Sequence, residues 1–120
     1  LTAPATYAQT GDVARGAYLV NQVSLCGDCH SPGGHGPTPP GREFSGAPFE
    51  GGPPQPNPHF AYFAPNLRGL PTGYTQETLA AFLETGRRPD GSRARPPMPQ
   101  FRFDPKDAQA TAAYFASLKP

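Results

Sequence analysis

At 120 residues the chain has the length of one domain, yet only 36% of its residues are hydrophobic, and 18 prolines with 14 glycines leave little room for regular structure. Side chains alone would bury too little apolar surface to offset the entropy of ordering such a chain, so something else has to fill the core. The formal charge is +1 and no run approaches the ~18 consecutive apolar residues of a membrane-spanning helix, so neither a nucleic-acid partner nor a membrane span is expected.

Residues 1–10 show no periodicity and read as a flexible N-terminal tail, ahead of a single domain over residues 11–120. The sequence begins at Leu1 rather than Met, which suggests a removed leader, tag or parent protein. A helix is predicted to start at Gly11 or Asp12, with Asp12 as N-cap at the positive end of the helix dipole. Val13, Ala17, Val20 and Ser24 recur at helical spacing, with Tyr18 and Leu19 beside them, and the helix leads directly to Cys26. Gly16 lies inside it, where glycine costs roughly 1 kcal/mol relative to alanine, so a close contact with another helix is expected there.

Cys26-Gly27-Asp28-Cys29-His30 is a C-x-x-C-H run, the spacing required for covalent attachment of a c-type haem. Two thiols three positions apart can each add to a vinyl group of one porphyrin, and the histidine that follows falls beneath the iron. A structural disulfide or half a zinc site is the bland alternative. Zinc needs further cysteine or histidine ligands at similar spacing, and only His35 and His59 remain. One covalent haem c per chain, bound through Cys26 and Cys29 with His30 on the iron, is therefore expected, and it supplies the missing core.

From Ser31 to Pro58 the chain holds nine prolines and seven glycines, and no helix or strand of ordinary length fits among them. This stretch reads as a long loop wrapped over one edge of the haem, with Phe44, Phe49, Phe60, Tyr62 and Phe63 as apolar anchors covering the porphyrin. A short helical turn is predicted between His59 and Ala64. Thr75 then caps a helix carrying Leu79, Phe82 and Leu83, which ends at Gly86. Asp104-Pro105-Lys106-Asp107 opens the last helix with an N-cap aspartate, proline at its first position and an acid two residues on. Ala108, Thr111, Ala112, Phe115 and Leu118 share one face of it, with Tyr114 on the flank. That face is the expected partner of the first helix, with Gly16 at the crossing.

Between these helices lies Pro96-Pro97-Met98-Pro99, which contains the only methionine. A thioether is a soft, neutral ligand that raises the potential of haem iron held by histidine, and a loop stiffened by prolines suits that task better than core filling. Met98 is thus the predicted sixth ligand, with His35 and His59 as rivals.

The chain resembles a class I c-type cytochrome of the bacterial monohaem type. The resemblance rests on Arg15-Gly16-Ala17-Tyr18-Leu19 leading into C-x-x-C-H, then Ala64-Pro65-Asn66-Leu67, Thr85-Gly86, Pro97-Met98-Pro99 and the closing Ala113-Tyr114-Phe115-Ala116-Ser117-Leu118. Several of these segments are similar to cytochrome domains that serve bacterial dehydrogenases. The resemblance implies an all-α fold of three to five helices around one haem, thioethers at Cys26 and Cys29, and His30 and Met98 as proximal and distal ligands. It also implies a proline carbonyl holding the His30 ring, for which Pro37, Pro39 and Pro40 are candidates. Haem attachment in this family takes place outside the cytoplasm, so a periplasmic or other extracytoplasmic location is expected.

With both axial positions filled, the iron can change oxidation state but has no open position for a substrate. The expected role is electron transfer rather than catalysis, as a monomeric carrier or a carrier domain of a redox complex. A dehydrogenase or quinol-oxidising complex would be the donor and a terminal oxidase the acceptor. The alternative is a peroxidase or small-molecule reductase in which Met98 dissociates, but Asp28, Glu43, Glu50, Glu77 and Glu84 are scattered and form no catalytic constellation. Arg87, Arg88, Arg93, Arg95 and Arg102 face only Asp90 between residues 87 and 102, so positive charge gathers around Met98. Some of these arginines are expected to face haem propionates, and the others to steer an acidic partner.

Overall fold

The computed structural model describes residues 13–33 and 36–120. The N-terminal tail, the Asp12 cap and His35 lie outside the described residues. Residues 13–18 form α1, which continues as one π-helical turn, Leu19–Val23. The spacing predicts an uninterrupted α-helix up to the cysteines. Instead the turn widens, burying Leu19 and Val20, and Leu25 then takes the left-handed conformation (φ 54°) one residue before Cys26. Gly27–His30 forms α2, a single turn on which Cys26, Cys29 and His30 follow one another, with the His30 amide donating to the Cys26 carbonyl at 3.0 Å.

The proline- and glycine-rich stretch is tied down rather than free. The Phe44 amide donates to Ser31 Oγ at 2.8 Å, the Leu67 amide to the Phe44 carbonyl at 2.8 Å, and the Phe44 ring is buried edge-on against Tyr114 and Phe115. β1 (Ala47–Pro48) pairs antiparallel with β2 (Phe63–Ala64), in the register Ala47 to Ala64 and Pro48 to Phe63. The helical turn predicted between His59 and Ala64 does not form. A turn closes earlier, with the Phe60 amide donating to the Asn57 carbonyl at 3.0 Å, and the chain then extends. Pro65 explains this, because the residue before a proline is driven out of the α region, and Tyr62 and Phe63 favour extended backbone.

α3 (Gln76–Thr85) begins and ends where the sequence places it. α4 (Pro105–Ser117) begins at the expected cap but stops at Ser117, so that Leu118, read from the sequence as part of its apolar face, is extended backbone beyond the helix. Thr75 Oγ1 accepts from the Thr78 amide at 3.1 Å while Thr78 Oγ1 accepts from the Thr75 amide at 2.8 Å, a reciprocal cap. Gly86 closes α3 with φ 76° and its amide on the Phe82 carbonyl. Asp104 accepts from the Asp107 amide at 2.8 Å, with Pro105 at the first helical position.

α3 packs along α4, and α1 crosses α4 at Gly16 as predicted, although Gly16 meets Ala110 and Tyr114 rather than the face of Ala108, Thr111, Ala112 and Phe115. A Cβ on Gly16 would lie 2.7 Å from Tyr114 Cβ and closer still to the Ala110 carbonyl oxygen. Arg15 reaches Asp107 beside this crossing, at 3.0 and 3.2 Å, an exposed pair that sets orientation more than it adds stability. Val20, Phe44, Leu67, Leu79, Phe82, Leu83, Ala108 and Phe115 form one buried cluster. Several of its members also wall the cavity described next.

Candidate functional site

A cavity of about 480 Å³ is lined by Cys26, Cys29 and His30 and also by Pro97, Met98 and Pro99, which lie far away in sequence. Its size falls in the range of roughly 300–1,000 Å³ found for small-molecule and cofactor sites. Leu79, Phe82 and Leu83 of α3, with Leu67 and Phe115, make its apolar walls. Tyr74 and Arg88 also line it, with burial pushing the Tyr74 phenol up and so keeping it protonated. Leu25 and Phe63 line it while remaining 50% and 58% exposed, so the cavity opens to solvent on their side.

His30 is 8% exposed, and its Nδ1–H donates to the Pro65 carbonyl at 2.9 Å. That bond assigns the tautomer and leaves Nε2 with its lone pair, the form a metal-ligating imidazole needs. Burial pulls His30 toward the neutral state, outweighing the opposing effect of the Pro65 carbonyl. The carbonyl belongs to Pro65, not to Pro37, Pro39 or Pro40. The β1–β2 pairing returns the chain to α2, and Gly46 permits the approach. Its amide donates to the His30 carbonyl at 2.7 Å, its φ is 100°, and a Cβ there would lie 2.9 Å from the Ala64 oxygen. Proximity in sequence favoured the earlier prolines; a two-residue strand pair decided otherwise.

Cys26 and Cys29 are half-buried free thiols. Burial pushes the Cys26 thiol up, against a smaller downward pull from Ser24, whose Oγ lies 3.4 Å from Cys26 Sγ. Ser24 Oγ also donates to the Leu19 carbonyl at 2.9 Å, across the π-turn. In the sequence Ser24 reads only as a member of a helical face, and nothing there marks it as a neighbour of the first cysteine. Among the described residues no group of three His, Cys, Asp or Glu side chains is placed to hold a metal ion by itself.

Of the five aromatic anchors only Phe49 and Phe63 line the cavity. Phe44 is committed to the α4 aromatics, while Phe60 stacks at 5.8 Å on Phe49 and at 4.8 Å on Tyr62. His59 is exposed and does not line the cavity. Of the five arginines Arg88 and Arg95 line it, with Arg88 Nε donating to Ser92 Oγ at 2.8 Å. Arg87 and Arg93 face each other across an antiparallel bridge outside it, and Arg93 and Arg102 both donate to Gln100 Oε1, at 2.9 and 3.4 Å. None of the five forms an ion pair among the described residues.

An iron porphyrin suits this arrangement. Paired thiols, an imidazole with one nitrogen already engaged and a thioether line one apolar cavity that forms part of the hydrophobic core. No helix among the described residues is long and apolar enough to cross a membrane. The chain is similar to a protein named alcohol dehydrogenase (quinone), cytochrome c subunit, from Gluconobacter oxydans (strain 621H), at 38% identity over 82 residues. That match takes in 63% of this chain and 16% of the relative, so the chain spans only a small part of that relative's length. The family model for cytochrome c covers residues 13–119, from the start of α1 to the residue before the last. Matched over that span, the chain belongs to the cytochrome c family and works by electron transfer on a covalently bound haem c.

Proposed function

We propose that the chain carries one haem c, attached through thioethers at Cys26 and Cys29 and ligated by His30 and Met98, and that it passes single electrons between redox proteins. The observation that carries this reading is that His30, with Nδ1 committed to Pro65, lines the same cavity as both free thiols and the only methionine. The haem supplies one-electron iron chemistry. The residues of the chain bind it, orient it and tune it.

Pro65 fixes the imidazole plane and increases its donor strength. A haem bound here would be held by His30 and Met98, whose soft, neutral sulfur would raise the potential and leave no open position for a substrate. The walls from α3 exclude water, while the side marked by Leu25 and Phe63 leaves an edge through which electrons enter and leave. Arg88 and Arg95 are the residues available to the propionates, and Arg87, Arg93 and Arg102 present positive charge to a partner.

The relative's name supports a dehydrogenase as electron donor, with a quinol-oxidising complex as the other candidate, and a terminal oxidase is the proposed acceptor. Thioether attachment outside the cytoplasm supports a periplasmic or other extracytoplasmic location, where residues 11–120 would act as one haem domain. The ligation is tested by Met98→Ala in the ferric protein. The sulfur-to-iron charge-transfer absorption should disappear and the potential should fall, whereas His59→Ala should change neither. A silent Met98→Ala together with loss of low-spin character in a histidine variant would replace the reading with bis-histidine ligation.

A further inference from the structure

We propose that residues 49–62 form a clamp that holds the Met98 segment on the haem, with Phe60 and Tyr62 as its positioning residues; this rests on Met98 being the axial ligand. The segment leaves β1 and re-enters β2, and the Phe49 amide extends the ladder by donating to the Tyr62 carbonyl at 2.9 Å. Its interior is closed by rings. Phe60 lies between Phe49 and Tyr62, and Gly52 sits so close that a Cβ would come within 2.9 Å of Phe60 and nearer still to Tyr62. Tyr62 Oη accepts from the Asn57 amide at 3.1 Å, which ties the distal turn to the same ring.

Two hydrogen bonds run from this segment to the residues just ahead of Met98. The Ala61 amide donates to the Pro96 carbonyl at 2.7 Å, and the Arg95 guanidinium donates to the Pro58 carbonyl at 3.2 Å. The Met98 amide in turn donates to the Arg95 carbonyl at 3.0 Å. The short turn that presents the sulfur is thus fastened at both of its first two residues. Arg95 is exposed and contributes the weaker bond. Ala61 contributes the stronger one, and its direction is set by the rings on either side of it, Phe60 and Tyr62. Neither ring lines the cavity; Phe60 meets it only through Phe49, and Tyr62→Phe, which leaves the Phe60–Phe49 contact in place, isolates the path through Ala61.

An added ligand can reach the iron only when Met98 swings away, so its apparent affinity reads how often the segment opens. In the ferric holoprotein, Phe60→Ala/Tyr62→Ala should keep the charge-transfer absorption without added ligand. It should bind imidazole about threefold to tenfold more tightly than the parent, the weight of one hydrogen bond. Tyr62→Phe should move the affinity in the same direction by less. An unchanged imidazole affinity in the double variant overturns the clamp.

Amide hydrogen exchange in the parent gives a second test that requires no variant to fold. The Ala61 amide should be protected while Met98 is bound and lose that protection when imidazole displaces it. Exchange at Ala61 that ignores imidazole also overturns the clamp. A parent protein without the charge-transfer absorption would overturn the ligation itself, and the clamp with it.

Discussion

Gly16→Ala sets two local effects against each other, and the structure decides between them. On helix propensity alone the change should stabilise by roughly 1 kcal/mol, since glycine is the poorer residue inside a helix. At this position, however, the new methyl would lie 2.7 Å from Tyr114 Cβ, 2.8 Å from the Ala110 carbonyl carbon and closer still to its oxygen. These atoms are backbone and Cβ, which no rotamer change can move, so α1 has to lift away from α4. Overpacking of this kind costs about 1–3 kcal/mol, and an obstacle made of backbone puts it near the upper end. Subtracting the propensity gain leaves a net destabilisation of about 2 kcal/mol. Guanidinium unfolding of the ferric holoprotein, followed by far-ultraviolet circular dichroism, should show a lower midpoint with an unchanged slope. Gly16 does not line the cavity, so the haem absorption of the folded variant should match the parent. A variant as stable as the parent, or stabilised as propensity suggests, would refute the close crossing.

Thr111 is fully buried and its Oγ1 finds no hydrogen-bond partner among the described residues, so Thr111→Val, nearly equal in shape, should stabilise by about 1–2 kcal/mol in the same unfolding assay. Destabilisation there would mean that the hydroxyl does have a partner. Cys26→Ala/Cys29→Ala should yield a largely unfolded chain by circular dichroism and amide dispersion. Without its haem the hollow of about 480 Å³ is left unfilled, and Leu79, Phe82, Leu83 and Phe115 on its walls lose the apolar partner they pack against. A folded double variant would show that the core stands without its haem. The bimolecular electron-transfer rate with the partner should fall as salt rises, and charge reversal at Arg87 or Arg93, which do not line the cavity, should slow it without altering the haem spectrum. A rate indifferent to ionic strength points to an apolar contact at the haem edge instead.

The features that the sequence by itself determined about this protein are those encoded within a few consecutive residues. C-x-x-C-H specifies its chemistry through spacing alone, Thr75 and Asp104 mark helix starts through their own side chains, and Gly86 marks a helix end through its own backbone freedom. The Gly16 crossing was legible for a related reason, since a glycine in a helix interior has a cost that only a close neighbour explains. The tertiary structure decided whatever depends on chain return. Pro65 rather than an earlier proline holds His30, because Gly46 and the Ala47–Ala64 pairing bring residues 64–66 back to α2. Phe49 and Phe63 rather than Phe44 face the cavity, because Phe44 is captured by Tyr114 and Phe115 from the far end of the chain. In a segment this rich in proline and glycine no periodicity assigns a side chain to a face, so direction there is set by long-range contacts alone.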